Sequence, residues 1–357
     1  MTIEVRNLTV RYGPSPILKD ISLRVDAGQV LAVLGPSGSG KTTLLLAIAG
    51  LLPHGATVSG SVLVGEQDFS GVPASERNIP MMFQSYALFP NMTVFGNVSF
   101  PLRVRNLPGS EMKARTNEVL SLVHLSDKAS RYPHELSGGE QQRAALARSL
   151  VLKPQAMLLD EPVGALDKHL RDALLGEIKE LQRQIKITML YVTHDQAEAL
   201  YISNRIAVLK DGALQQLGDS EDVYSKPANV FVARFLGQVN LIRATLRAVD
   251  GKGGIFLTSG GLELRSCVST DRLEMSRSYL LAIRPEHVKV TGDRGGLPGT
   301  VEESRCIGGE HQCFVRVRGI EQPIMSTWRS TPEVEAGDNV SVSWSPLAVT
   351  PLEDETL

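Results

Sequence analysis

The chain has 357 residues, too many for one compact core, and divides into two domains or three. Its 42% apolar and 21% charged residues exclude a disordered or fibrous chain. With 37 bases against 39 acids the formal charge is −2, which argues against nucleic acid or an anionic membrane surface as a binding target.

In chain order, residues 3–34 alternate as half-buried strands do. Ile3, Val5, Leu8 and Val10 lead, residues 17–25 follow, and Gly13-Pro14 and Ala27-Gly28 mark turns. Tyr12 stands at the end of the first strand, where an aromatic ring can stack on a base or simply close the strand. Residues 30–34 form an apolar run that leads into Gly35-Pro36-Ser37-Gly38-Ser39-Gly40-Lys41-Thr42, and the helix-prone residues from Thr43 to position 49 follow. This is a phosphate cradle of the pattern G-x-x-x-x-G-K-T. The small residues leave backbone N–H groups uncovered at the positive end of a helix. Lys41 offers a point charge to the outer phosphates, and the Thr42 hydroxyl a ligand to the magnesium ion of a nucleotide triphosphate. A surface turn would not be flanked by an apolar strand and an apolar helix together.

Residues 50–71 read as turns with a short strand at 61–64, and residues 78–84 as an apolar strand ending in Gln84. The segment after it, 85–94, is apolar and aromatic without a period, which fits either a core or a contact surface. Residues 111–124 have the apolar spacing of a helix. In Leu136-Ser137-Gly138-Gly139-Glu140-Gln141, ahead of a helical run over 142–152, Ser137 and Glu140 have the spacing of a capping box. Gly138 and Gly139 cost helix stability there, which points to a second anion-binding helix start.

The apolar run 156–159 ends in Asp160-Glu161. Carboxylates at the C-terminal edge of a parallel strand lie where ligands bind, so Asp160 is assigned to the magnesium shell and Glu161 to polarising an attacking water. An amphipathic helix is expected over 168–184. A last buried strand, 188–193, ends in His194-Asp195, and His194 becomes a third polar strand end of the same sheet. Cys267, Cys306 and Cys313 are odd in number and form no C-x-x-C pair, so they are expected to be ordinary small residues. The segment from Met1 to Arg6 has neither the basic region nor the apolar core of a signal peptide, and the longest apolar stretch is too short for a membrane span. A cytoplasmic protein, docking on something else if it works at a membrane, is expected.

With the cradle, Gln84, the Leu136 to Gln141 segment, Asp160-Glu161 and His194 in this order, residues 3–235 resemble the nucleotide-binding subunit of an ABC transporter. The resemblance implies an α/β P-loop NTPase cassette over 1–235, with a helical subdomain at about 85–155, acting as an ATPase with ATP and Mg2+. It also implies that Tyr12 stacks on adenine and that Ser137, Gly138 and Gly139 bind the γ-phosphate of ATP held by a second copy. Glu161 then acts as base, His194 contacts the γ-phosphate, Gln84 is a catalytic residue that holds the metal with Thr42 and Asp160 and senses the membrane-spanning subunits, and Asp167 links the two sites. Residues 84–98 face membrane permease subunits, an extracytoplasmic solute-binding protein takes part indirectly, and the subunit sits on the cytoplasmic face of the cell membrane.

From residue 236 to 357 frequent glycines and short alternating strands such as 340–344 predict an all-β, OB-like barrel. Ala282-Ile283-Arg284-Pro285-Glu286 resembles a segment of the regulatory barrel of importer ATPases for polyamines, sugars, ferric iron and oxyanions. The tail has more acids than bases and no aromatic cluster, which speaks against nucleic-acid binding. Gly164-Ala165-Leu166-Asp167-Lys168 and residues 235–240 are most like the spermidine/putrescine branch, with ferric iron, phosphonate and sugar importers as alternatives. Val163, where leucine is common, and the longer turn at 54–58 depart from the pattern. A soluble ABC ATPase of repair or translation would carry a coiled-coil insertion or a second cassette, and a decayed scaffold would lack Lys41, Asp160, Glu161 or His194.

Overall fold

The computed structural model describes residues 1–164, 167–251, 253–267, 273–293, 295–329 and 334–354. Ala165 and Leu166 of the branch-like segment lie outside the described residues. The chain forms two compact units, Met1–Ser220 and Glu221–Leu357.

The first unit opens with β1 (Ile3–Tyr12), β2 (Ser15–Val25), β3 (Val30–Leu34), α1 (Lys41–Ala49), β4 (Ala56–Val64), β5 (Gln67–Asp68), α2 (Ala74–Arg77) and β6 (Met81–Met82). Three helices follow, α3 (Val94–Val104), α4 (Gly109–Leu122) and α5 (Gly138–Leu150). Strands and helices then alternate through β7 (Ala156–Asp160), α6 (Lys168–Ile185), β8 (Thr188–Val192), α7 (Gln196–Ile202), β9 (Arg205–Lys210) and β10 (Ala213–Asp219). An antiparallel sheet has the order β2-β1-β4-β5, and the main sheet the order β10-β9-β3-β8-β7-β6. In the main sheet only β10 runs antiparallel to its neighbour. Every residue of β3, β7 and β8 is buried, which is why these strands read as unbroken apolar runs rather than alternations.

Two cores cover the main sheet. On one side β1, β2 and β4 share a core with α1, whose Leu44, Leu45 and Ile48 are fully buried. Each such side chain contributes roughly 1.5–3 kcal/mol relative to exposure. On the other side Val98, Leu102, Leu120, Ala144, Leu150 and Leu175 bring α3, α4, α5 and α6 together over Met157 and Met189.

Local departures from the sequence expectation have physical causes. The strand expected at 61–64 is the nine-residue β4, which pairs with β1 along its length. Gly60 lies within it at φ 92, where a Cβ would sit 2.5 Å from the carbonyl oxygens of Arg6 and Asn7 at an irregularity of the pairing. The strand expected at 78–84 shrinks to the two residues of β6. Helix α3 contains Pro101 and is capped by Thr93, whose hydroxyl accepts from the Gly96 N–H.

The second unit begins with α8 (Ser220–Ser225) and α9 (Val230–Phe235) and continues as strands β11 (Asn240–Asp250), β12 (Gly253–Thr258), β13 (Glu263–Ser266), β14 (Ser278–Ile283), β15 (Lys289–Thr291), β16 (Leu297–Ile307), β17 (Glu310–Val317), β18 (Ile324–Trp328), β19 (Asn339–Ser343) and β20 (Thr350–Glu353). They form two five-stranded antiparallel sheets, β13-β12-β11-β14-β20 and β15-β19-β16-β17-β18, around one core that includes Phe256, Tyr279, Leu281, Val315 and Val342. This is the barrel-like all-β domain expected. The division falls at Ser220, and the expected boundary was 235. Arg284 is 3% exposed and donates to the carbonyls of Tyr224, Ala233 and Gln238 at 2.9–3.2 Å, with its guanidinium 4.2 Å from the Tyr224 ring centre. It thereby fastens α8 and α9 to the barrel. Burial holds its pKa below the ordinary guanidinium value.

Arg284→Met fills a similar volume but leaves three carbonyls without that donor, so it is expected to cost about 2–4 kcal/mol in denaturant unfolding of the full chain. Parental stability would show that the guanidinium's desolvation cancels its bonds.

Candidate nucleotide site at the strand ends

The register of the parallel sheet builds the site. Val192 of β8 is the Cα partner of Val33 in β3 on one side and of Asp160 in β7 on the other. Three strands therefore end at one level. The 35–42 loop, Asp160-Glu161 and Thr193-His194 emerge from them side by side.

In the loop, Gly35 is buried, Pro36, Ser37 and Gly38 are exposed, and Ser39, Gly40 and Lys41 turn inward. Gly40 has φ 98, and a Cβ on it would lie 2.6 Å from Leu18 Cδ2, so only glycine fits the turn that starts α1. Lys41 Nζ folds back over the loop and donates to the carbonyls of Gly35 at 2.8 Å and Pro36 at 3.0 Å. Burial pushes the ammonium pKa down, and Glu161 and Asp160 partly restore it. Ser39 is 3% exposed and its hydroxyl has no hydrogen-bond partner. A buried orphan hydroxyl in a turn with glycines at 35, 38 and 40 fits a phosphate oxygen. The Thr42 hydroxyl donates to Asp160 Oδ1 at 3.2 Å, and Thr43 is half-buried in the same helical turn. A hydroxyl and a carboxylate so paired are hard oxygen donors of the kind that suits a magnesium ion. Burial pushes the Asp160 carboxyl up; the Thr42 bond opposes this, Glu161 adds to it and Lys41 opposes it.

Glu161 does not owe its direction to strand alternation, the reading the sequence invites. The strand stops at Asp160, and Glu161 has φ 45 with its N–H bonded to the Val192 carbonyl. A left-handed glutamate at a strand end is strained, and strain of this kind clusters at functional sites. Its Oε1 lies 3.1 Å from His194 Nδ1.

Sequence reading missed what braces His194. Glu198 is 4% exposed, and its Oε2 accepts from the Thr193 hydroxyl at 2.7 Å and the Tyr191 hydroxyl at 3.2 Å. Thr193 Oγ1 in turn accepts from the Asp195 N–H at 3.0 Å, and the Asp195 side chain caps α7. Arg171 on α6 reaches Asp195 at 3.4 Å. The only sequence signal was the Asp195-x-x-Glu198 spacing of a helix start.

Tyr12 is half-exposed at the end of β1, and Gln84 is exposed beyond β6. Asp167 is exposed and caps α6. Ser137 caps α5 in the expected capping box, its hydroxyl accepting from the Glu140 N–H at 3.3 Å while Glu140 accepts from the Ser137 N–H at 2.8 Å. Gly139 has a packing reason that the sequence did not disclose: a Cβ would lie 3.2 Å from Leu170 and 3.4 Å from Leu174 of α6. Among the described residues, no hydrogen bond or ion pair joins residues 137–139 to the 35–43 loop.

Asp160→Asn keeps an acceptor for Thr42 and removes the charge. Because the folded pKa is raised above 3.8, the stability this group gives is complete below pH 3.8 and lost as pH rises through the raised value. At pH 7 the ionised form is a net cost, so the variant is expected to melt at a higher temperature than the parent; a lower melting point would show that attraction to Lys41 dominates.

The ABC transporter family matches residues 18–164 and the TOBE domain family residues 281–352. The spermidine/putrescine import ATP-binding protein PotA of Rubrobacter xylanophilus is 40% identical, over 96% of this chain and 92% of its own length. That of Thermotoga maritima is 36% identical over 96% of both chains, and that of Aggregatibacter actinomycetemcomitans 48% identical over 81% of this chain and 76% of its own. Among solved structures, a bacterial ABC transporter cassette determined as a dimer is similar with a TM-score of 0.53 and 31% identity, covering 61% of this chain and 98% of that one. No helix among the described residues is long and apolar enough to cross a membrane. The chain belongs to the ABC transporter family of import ATP-binding proteins.

Proposed function

We propose that the chain is the ATP-hydrolysing subunit of a spermidine/putrescine-type importer, working on the cytoplasmic face of the cell membrane through separate permease subunits. The observation that carries the reading is the strand-end cluster of Lys41, Thr42, Asp160, Glu161 and His194, found in a chain whose relatives are import ATP-binding proteins.

Residues 35–43 hold the triphosphate, with Lys41 leaving its two carbonyls for the outer phosphates, and Tyr12 stacks on the adenine. Thr42, Asp160 and Gln84 hold Mg2+, which when bound neutralises charge on the phosphate oxygens. Glu161 takes the proton of the water that attacks the γ-phosphorus as the bond to the leaving oxygen breaks. His194, within 3.1 Å of Glu161, holds the γ-phosphate and fixes the carboxylate.

Ser137, Gly138 and Gly139 of a second copy close the site from the far side, and Asp167 links the two sites. ATP then bridges two copies, and hydrolysis removes the bridge. Residues 84–98 dock on the permease, and a solute-binding protein acts only through it. Nucleic acid has no part.

Glu161→Gln is expected to retain ATP binding, slow hydrolysis by at least about a hundredfold and accumulate an ATP-bound dimer on gel filtration. A monomer at saturating ATP would refute the shared site. Ser137→Arg is expected to abolish turnover while the isolated chain still binds ATP with near-parental affinity; lost binding would place the segment in its own copy's site. Cells carrying Glu161→Gln in place of the parent are expected to lose uptake of labelled spermidine and putrescine, and normal uptake would refute the cargo.

A further inference from the structure

Residues 83–92 have no regular structure, yet their backbone is held at two points. Asn97, 1% exposed on α3, accepts from the Phe89 N–H and donates to the carbonyls of Phe89, Met92 and Thr93. The other point lies closer to Gln84. Tyr86 and Ala87 are consecutive non-glycine residues with φ 57 and φ 46, in a tight turn where the Tyr86 N–H bonds to the Phe83 carbonyl. Two adjacent left-handed residues with side chains do not persist unless something over-determines them.

Arg148 of α5 supplies that. Its Nη1 donates to the Ala87 carbonyl at 2.6 Å and its Nη2 to the Tyr86 carbonyl at 2.8 Å, and the guanidinium lies 5.7 Å from the Phe89 ring centre. It is half-buried, and among the described residues no carboxylate pairs with it. Burial accordingly lowers its pKa. A desolvated cation spent on two carbonyls of one strained turn is a clamp, since a surface ion pair would give similar stability without the burial. The planar fork matches two adjacent carbonyls as an ammonium cannot.

We propose that Arg148 is a positioning residue for Gln84: by locking the Tyr86-Ala87 turn it ties the place of the Gln84 amide to helix α5, the helix whose first residues are Gly138 and Gly139. The Gln84 turn then moves with α5. Closing a second copy's triphosphate against the start of α5 is felt at Gln84 through a rigid helix and one guanidinium. This rests on the role given to Gln84 above.

The test uses the full chain and measures steady-state ATP hydrolysis against Mg2+ concentration, with thermal melting of each variant. Gln84→Ala and Arg148→Ala are each expected to lower kcat about tenfold or more and to raise the Mg2+ concentration for half-maximal rate. The double variant should be no worse than Gln84→Ala alone. Ala87→Gly, which lets the turn form without the clamp, should restore most of the activity of Arg148→Ala, a rescue that a merely structural role does not give. Should Arg148→Ala not fold, Arg148→Lys replaces it in both combinations. Parental kinetics in Arg148→Ala beside an impaired Gln84→Ala would overturn the proposal alone, as would multiplicative effects or no rescue by Ala87→Gly. A silent Gln84→Ala would overturn the role of Gln84, and the proposal with it.

Discussion

The constraint on which the first unit depends is the crowding of like charge at the ends of three buried strands. Asp160 and Glu161 adjoin each other, Asp160 is 8% exposed, and Lys41, also 8% exposed, is bonded to carbonyls rather than to either acid. Burial pushes the Asp160 carboxyl up and the Lys41 ammonium down, so desolvation disfavours the charged form of both groups. A fold keeps such a cluster only if the surrounding structure is stable enough to carry it. The apolar strands and the buried Leu44, Leu45 and Ile48 of α1 supply that stability.

Much of this was legible in the sequence because the rules behind it are local. A glycine-rich turn between an apolar strand and an apolar helix leaves backbone N–H groups uncovered at a helix start, and the short apolar runs ending in Asp160-Glu161 and Thr193-His194 are parallel strands reaching the same edge. Those signals lie within a few residues of each other. They need no knowledge of what packs where.

What was illegible depends on partners distant in sequence. Gly139 looked like an anion-binding feature, yet it also lets α5 approach Leu170 and Leu174, some thirty residues on. Gly60 looked like a turn and lies within β4, because the carbonyls of Arg6 and Asn7 leave no room for a side chain. The left-handed backbone of Glu161 and of Tyr86-Ala87 has no sequence mark, since neither is Gly or Asn. The hold of Arg284 on the Tyr224 carbonyl joins residues sixty apart within the second unit.

Glu198, Arg284 and Arg148 share a design. Each is a charged group taken out of water whose hydrogen bonds go to neutral hydroxyls or backbone carbonyls, Glu198 having the Arg171 guanidinium at 3.6 Å besides, and each fixes a segment that has no regular structure of its own or would otherwise be short and free. Apolar packing cannot do this for a turn, because it leaves backbone polar groups unpaired and tolerates small rotations of the chain. A multidentate charged side chain satisfies two or three such groups at once and sets their directions. The cost is desolvation, and it is met at the turn bearing His194, at the helices leading into the barrel, and at the segment following Gln84. In the first and last of these the brace fixes a turn next to a residue of the proposed site, His194 or Gln84, where a flexible loop would have been cheaper in free energy.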